Sequence, residues 1–318
     1  MGRYVAEALE SVGRQSYKRW EIIVVDDCGP ADGTKEAVEA FAKQFPGHRV
    51  ELIRHERNQG VSAARNNAVK ASTGEYLAFL DPDDLWEPEK LEKQIRILQN
   101  DNDVAMVYSM ARIRRLVADI SFHADAECFG VAPVGDKKAG LFSVASGQNV
   151  FAFSTLVLRR SAFLAVKGFQ EGLPFQNEDR LLIGCCAWHG NLAWVPEPLC
   201  VYRIHEGSAT ATVVKLDLAA LVEFDLVYRI ALWVRRQPGS RNLGARIVRH
   251  ILRPRLSECL GSPSWYSFRK LLFDQCARLT LAYPENARFV LWRLFTKCPI
   301  IGFVRALIRA ASGRANAP

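Results

Sequence analysis

Four consecutive β-branched apolar residues, Ile22-Ile23-Val24-Val25, stop abruptly at Asp26-Asp27, and no other feature of this 318-residue chain limits its fold as strongly. A run with no polar position to turn toward water suits a strand covered on both faces, as in a parallel sheet. Ahead of it, Val5, Ala8, Leu9 and Val12 fall at helical spacing. After it, Thr34 to Phe45 reads as a helix, Val50 to Ile53 as a strand, and Ser62 to Ala71 as a helix. Tyr76 to Leu80 is another all-apolar strand, Pro88 to Gln99 a helix and Val104 to Tyr108 a strand. Strands alternating with helices predict the α/β class: an open, mostly parallel sheet flanked by helices, with right-handed crossovers. Periodicity weakens over 110–150, then Phe153 to Leu158 and Trp194 to Pro196 read as strands around a helix at Glu178 to Trp188. Helical segments dominate from about Lys215, broken at Pro238-Gly239, Pro254, Pro263, Pro284 and Pro299.

Charge divides the chain more sharply than hydrophobicity does. The net +8 conceals 18 Lys and Arg against 6 Asp and Glu over 211–318, which leaves 24 basic and 28 acidic residues for the first 210. Two regions are expected: a catalytic domain over 1–210 and a basic helical appendage over 211–318. A hydrophobic fraction of 49% and a charged fraction of 24% exclude a disordered chain. The eight cysteines form no C-x-x-C pair and no regular framework, so they read as reduced thiols rather than a zinc site or disulfide scaffold. Arg3, Glu7 and Glu10 interrupt any apolar leader, and a cytoplasmic location is expected.

Open α/β sheets bind ligands at the carboxyl ends of their strands. Two such ends carry clustered acids here, Asp26-Asp27 and Asp81-Pro82-Asp83-Asp84. Crowded carboxylates repel one another, and a divalent cation removes that cost; an oxygen-rich set suits Mg²⁺ or Mn²⁺ bridging to substrate phosphates. Asp27 and Asp84 acting as plain caps of helices or turns is the alternative for either cluster taken singly.

Trp20 to Asp27 with Asp32-Gly33-Thr34, then Asn58 to Asn66, then Gly74 to Asp84 come in the order and spacing of family 2 glycosyltransferases, which this chain resembles closely over about 4–110 and more loosely to about 210. The resemblance implies the A-type nucleotide-sugar fold, a nucleoside-diphosphate sugar as donor, a glycan or lipid-linked saccharide as acceptor, and a place in cell-envelope polysaccharide biosynthesis. It implies that Asp27, with Asp26 beside it, meets the nucleotide base, and that Arg65 lies near the nucleotide. Asp81 would stand near the ribose and Asp83 on the metal, with Asp81, Asp84 and His205 as further candidates for the metal shell. Gly60 would let the backbone approach the nucleotide, although a plain turn explains a glycine equally well. Asn177-Glu178-Asp179 resembles the family's E-D motif, which makes Asp179 the expected base toward the acceptor hydroxyl and Glu178 its helper or substitute. The reaction implied is a metal-dependent single displacement that inverts the anomeric centre.

Arg288 to Ala310 interleaves Phe289, Trp292, Phe295 and Phe303 with five basic residues, a pattern of a helix on an anionic membrane surface or of a bundle with a solvated basic face. Peripheral contact with the inner face of the plasma membrane is the expectation taken from it. The acidic body and the lack of a recognised module count against a nucleic-acid partner. A catalytically silent, membrane-associated scaffold is the remaining alternative. It draws on one departure from the family pattern: Met1 stands where the first helix starts, so a buried strand and loop of roughly 15 residues are expected ahead of it. A chain truncated in that way is expected to be destabilised and to bind donor poorly, because the neighbours of the lost strand would keep unpaired backbone groups.

Overall fold

The computed structural model describes residues 2–116, 128–129, 141, 144–146, 151–173, 177–206, 219–252, 255–256, 258–259 and 265–283. The chain forms two compact units, Met1–Lys215 and Leu216–Pro318. The first opens with α1 (Gly2–Gly13), whose Val5, Ala8, Leu9 and Val12 are all buried as their spacing requires. Then follow β1 (Ile22–Asp26), α2 (Thr34–Gln44), β2 (Val50–Arg54), α3 (Val61–Ala71), β3 (Tyr76–Ala78), β4 (Leu85–Trp86) and α4 (Lys90–Asn100). The second half of the unit contains β5 (Val104–Arg115), β6 (Cys128–Phe129), a 3-10 turn at Phe153–Thr155, and β7 (Val157–Arg159). It ends with α5 (Arg160–Ala165), α6 (Glu178–Cys186) and β8 (Asn191–Ile204).

These strands make two sheets. β1 and β2 pair in parallel from Ile22 opposite Val50 to Asp26 opposite Arg54. The larger sheet has the order β3-β7-β5-β8-β4, with β6 added to β5. Among the described residues, parallel pairing is confined to β1–β2 and β5–β8; β7 is antiparallel to both its neighbours, and β4 is antiparallel to β8. β5 is far longer than Val104 to Tyr108, because β8 supplies partners as far as Arg115 opposite Ile204. Its pairing slips around Ser109–Ala111, opposite the prolines Pro196 and Pro198.

The core follows the same division. One cluster gathers Trp86, Leu91, Ile95, Leu98, Val107 and Val157 between α4 and the larger sheet. A smaller one joins Val5 and Leu9 of α1 to Val38 and Phe41 of α2. Residues of β1 do not reach full burial: Ile22 to Val25 are all half-buried, whereas Val104 to Tyr108 of β5 are all buried.

The described residues of the second unit include α7 (Ala219–Arg235), α8 (Arg241–Ile247), which continues into a π turn at Val248–Leu252, and α9 (Trp265–Ala282). Asp225 is fully buried in it and bonds the Arg229 guanidinium (2.7 Å) and the Gln275 amide (2.5 Å). Among the described residues no helix is long and apolar enough to cross a membrane. The basic aromatic segment Arg288 to Ala310 lies outside the described residues.

Candidate active site

Asp81-Pro82-Asp83-Asp84 forms a tight turn closed by the Asp84 N–H on the Asp81 carbonyl (3.0 Å), with proline at the second position, where its fixed φ is favoured. A turn this tight sends neighbouring carboxylates in different directions. Asp84 points inward and is 1% exposed; one oxygen accepts Ser154 Oγ–H (2.6 Å) and the other the Arg203 N–H (3.0 Å). Burial, with Asp81 and Asp83 nearby, pushes its pKa well above the ordinary range. Both oxygens are thus engaged inside the protein, and Asp84 braces the turn.

Asp83 faces His205 at the end of β8, with Oδ2 3.1 Å from Nε2. Burial and the neighbouring Asp81 raise the Asp83 pKa. The His205 ring stacks on Tyr4 of α1 (centroids 5.4 Å apart), and the buried Arg203 guanidinium lies over the same Tyr4 (4.8 Å) while bonding Glu7 and the Asp83 carbonyl. The first helix therefore fixes the last strand against the acidic turn. Among the described residues, no group of three His, Cys, Asp or Glu side chains is arranged to hold a metal ion unaided.

Arg65, on α3, gathers the rest. It donates to Asp81 Oδ1 and to Glu178 Oε1, each at 2.7 Å, and its guanidinium lies over Phe153 (4.4 Å) and Phe169 (5.5 Å). Burial opposes its charge, but Asp81, Glu178 and Asp179 outweigh that and raise its pKa. Glu178 and Asp179 open α6, where negative charge is favoured by the helix N-terminus. Burial raises the pKa of both; for Glu178 the adjacent Asp179 adds to it. Glu178 is committed to Arg65, while one oxygen of Asp179 accepts the Arg180 N–H (2.6 Å). Arg65 thus faces three carboxylates, and the positive charge of Arg180 also acts on Asp179.

The other acidic end is built differently. Asp27 accepts the backbone N–H groups of Gln59 (2.8 Å) and Gly60 (2.7 Å) and lies 2.7 Å from His55 Nδ1. These bonds overcome the opposing effect of burial and lower its pKa. Asp26 pairs with Arg54 (2.6 Å) and accepts the Gly29 N–H (2.7 Å). Gly60 has φ +91°, and a Cβ there would meet nothing within 4 Å, so backbone conformation, and not protein crowding, demands glycine.

Arg65, Asp81, Glu178 and Asp179 thus share one cluster, with Asp83 and His205 beside Asp81, and Asp26, Asp27 and Gly60 at the end of β1. His55, Ser154, Arg203, Phe153 and Phe169 were given no role from sequence. Only Arg203 had a signal, its place in Tyr202-Arg203-Ile204-His205; the others become partners only through contacts between distant parts of the chain.

The family model described as Glycosyl transferase family 2 matches residues 2–164, just over half of the chain. A relative in Escherichia coli, the UDP-Glc:alpha-D-GlcNAc-diphosphoundecaprenol beta-1,3-glucosyltransferase WfgD, is 37% identical over 104 residues, 33% of this chain and 39% of its own. The structure of S. aureus TarS 1–349 in complex with UDP-GlcNAc superposes with a TM-score of 0.63 at 17% identity, over 96% of this chain and 84% of that one. The mannosyltransferase PcManGT from Pyrobaculum calidifontis, in complex with GDP-Man and Mn²⁺, gives 0.53 at 17% identity, over 98% and 76%. These structures share the A-type glycosyltransferase fold. The chain spans 36% and 56% of the length of the first two curated relatives it matches.

Proposed function

This chain belongs to glycosyl transferase family 2, and from that premise we propose that it moves a sugar from a nucleoside-diphosphate sugar to a hydroxyl of a glycan or lipid-linked saccharide, with inversion. The observation that carries the proposal is the Arg65 cluster: residues 65, 81 and 178 come from three separated motifs and meet through two 2.7 Å ion pairs. The cluster stands just past the end of β3, where a cation and a phosphate ester can be held together. The complexes of PcManGT with GDP-Man and Mn²⁺ and of TarS with UDP-GlcNAc, and the lipid diphosphate acceptor in the name of WfgD, support the choice of ligands. Catalytic residues over 1–210 and a separate basic region over 211–318 complete the reading, with membrane contact assigned to the latter.

Asp83 and His205 would hold a Mg²⁺ or Mn²⁺ ion, with Asp81 at its flank. Two protein ligands are fewer than such an ion takes, which fits a cation that draws its remaining oxygens from a diphosphate and water. When bound, it would neutralise charge on the departing diphosphate. Arg65, fixed by Asp81 and Glu178 and shielded by Phe153 and Phe169, is placed to add a second positive charge there. Asp27 and the Gln59–Gly60 backbone it orders would meet the base. Asp179 would take the acceptor proton: its raised pKa brings it nearer the working pH of a general base, and Glu178 is already held by Arg65. A single displacement needs no protein nucleophile.

A thermal-shift screen of UDP-, GDP- and dTDP-sugars with and without Mn²⁺ tests this reading without knowledge of the acceptor. A Mn²⁺-dependent rise in melting temperature with one nucleotide class is the expected result; no response to any of them would remove the proposal.

A further inference from the structure

Asp27 lines the end of a cavity of about 820 Å³ beside β1, and 18% of its side chain is exposed, so part of the carboxylate is open to a ligand. The rest is occupied, and the occupants can be counted among the described residues. Oδ1 accepts the Gln59 N–H (2.8 Å) and faces His55 Nδ1 (2.7 Å), whereas Oδ2 accepts only the Gly60 N–H (2.7 Å). Each oxygen of an ionised carboxylate offers about two acceptor positions. Oδ1 has filled both from within the protein. Oδ2 keeps one.

The count depends on His55, and that ring is held from three sides. It follows the last residue of β2, and its own N–H bonds the Asp26 carbonyl (2.9 Å), which prolongs the β1–β2 pairing. Its side chain is 5% exposed, so it has no room to swing out. On the far side of the ring, Nε2 lies 2.9 Å from Nδ2 of Asn67, on α3. An amide nitrogen only donates, so Nε2 accepts and the ring proton sits on Nδ1, where the carboxylate, which only accepts, needs it. A histidine that merely filled space would need no fixed tautomer. Residues two apart on a helix do not share a face, and α3 uses this. Arg65 bonds Asp81 and Glu178 on one side, while Asn67 reaches Asp27 through His55 on another.

We propose that His55, set by Asn67, is a positioning residue for the nucleobase: it holds Asp27 in one orientation with a single acceptor position left, so that the site selects a base offering one ring N–H. Uracil and thymine do so, each with an N3–H between two carbonyls. Guanine offers two adjacent donors, N1–H and the exocyclic amine, and needs both oxygens of a carboxylate. With Oδ1 filled, one of those donors is desolvated without an acceptor, which costs more than a missing contact. The donor class selected is a uridine or thymidine diphosphate sugar. This rests on the reading under Proposed function that Asp27 meets the base, and adds which base and which residues choose it.

Titration calorimetry in Mn²⁺ with UDP, UDP methylated at N3, and GDP tests this on the parent, His55→Phe and His55→Asn. Phenylalanine keeps a ring without a donor; the amide nitrogen of asparagine comes where Nδ1 stood. The parent is expected to bind UDP about tenfold tighter, or more, than either other ligand. In His55→Phe the preference for UDP over its N3-methyl form should shrink by about tenfold, with no loss of affinity for the methylated form. His55→Asn should keep the preference. A ring with a purely structural role would instead weaken all three ligands together. Should His55→Phe not fold, Asn67→Leu, which leaves the ring but frees its tautomer, is expected to show the same loss. Equal affinity of the parent for UDP and its methylated form, GDP bound as tightly as UDP, a preference that survives His55→Phe, or one lost alike in both His55 variants would each overturn the proposal. Each of those results involves a bound nucleotide and leaves the glycosyl-transfer reading standing. A folded parent that binds none of the three ligands would remove that reading, and this inference with it.

Discussion

β1 and the first half of β5 both carry apolar runs, yet Ile22 to Val25 are half-buried while Met106, Val107 and Tyr108 are inaccessible to solvent. The difference is position: β5 has neighbours on both sides, whereas β1 has β2 on one side and the cavity on the other. Hydrophobic sequence sets what a strand could bury; neighbours decide what it does bury. The acids that follow show the same contrast. Asp27, at the open side, is ringed by N–H donors and its pKa is lowered; Asp83 and Asp84, against the larger sheet, are desolvated beside other acids and their pKa values are raised. One sequence signature, acids after an apolar run, yields a carboxylate whose charge is favoured in one place and carboxylates whose charge is opposed in the other.

The contrast in packing predicts unequal costs for similar truncations. Met106→Ala should destabilise the protein by about 2–5 kcal/mol, since its cavity cannot collapse. Ile23→Ala should cost about 1 kcal/mol, because the residue is only half-buried. Urea melts of both variants decide it, and equal losses would break the comparison.

Asp179→Asn should separate chemistry from binding, with turnover lower by roughly 10²-fold or more and donor affinity retained. Steady-state kinetics beside calorimetry reads both. Turnover close to that of the parent would move the base to Glu178.

At the other acidic end, Asp27→Asn should lose about 1–3 kcal/mol near neutral pH, because it replaces an acceptor of two backbone N–H bonds with a group that is half donor. The folded-state pKa of Asp27 lies below its unfolded value, so its contribution is complete above the unfolded value and is lost as pH falls from there through the lower folded value. Parent and variant stabilities should therefore converge on acidification; a constant gap down to pH 2 would contradict the assignment.

Smallest of these effects, Gly60→Ala should cost about 1 kcal/mol through its positive φ alone, as a Cβ there meets no neighbour. A nucleotide affinity that falls far more than stability would show that ligand, not protein, needs the space.

Much of this was legible in the sequence. Ile22 to Val25 and Tyr76 to Leu80 announced strands, and the acids after them announced the ends where ligands gather. Sequence could not show which acid of a pair turns inward: Asp84 does so because Ser154 and Arg203, 70 and 119 residues away, supply its donors. Nor could it show that Arg65 ties Asp81 to Glu178, a contact spanning 113 residues.

The account rests on the two acidic ends having different chemistry, and titration calorimetry of nucleoside diphosphate with and without Mn²⁺ tests it most directly. Asp83→Asn should abolish the Mn²⁺-dependent part of binding while leaving the metal-free part and the fold intact; Asp27→Asn should weaken binding under both conditions. If Asp83→Asn keeps its full Mn²⁺-dependent affinity, or if the two variants behave alike, the acidic turn is not the cation site and the account is wrong.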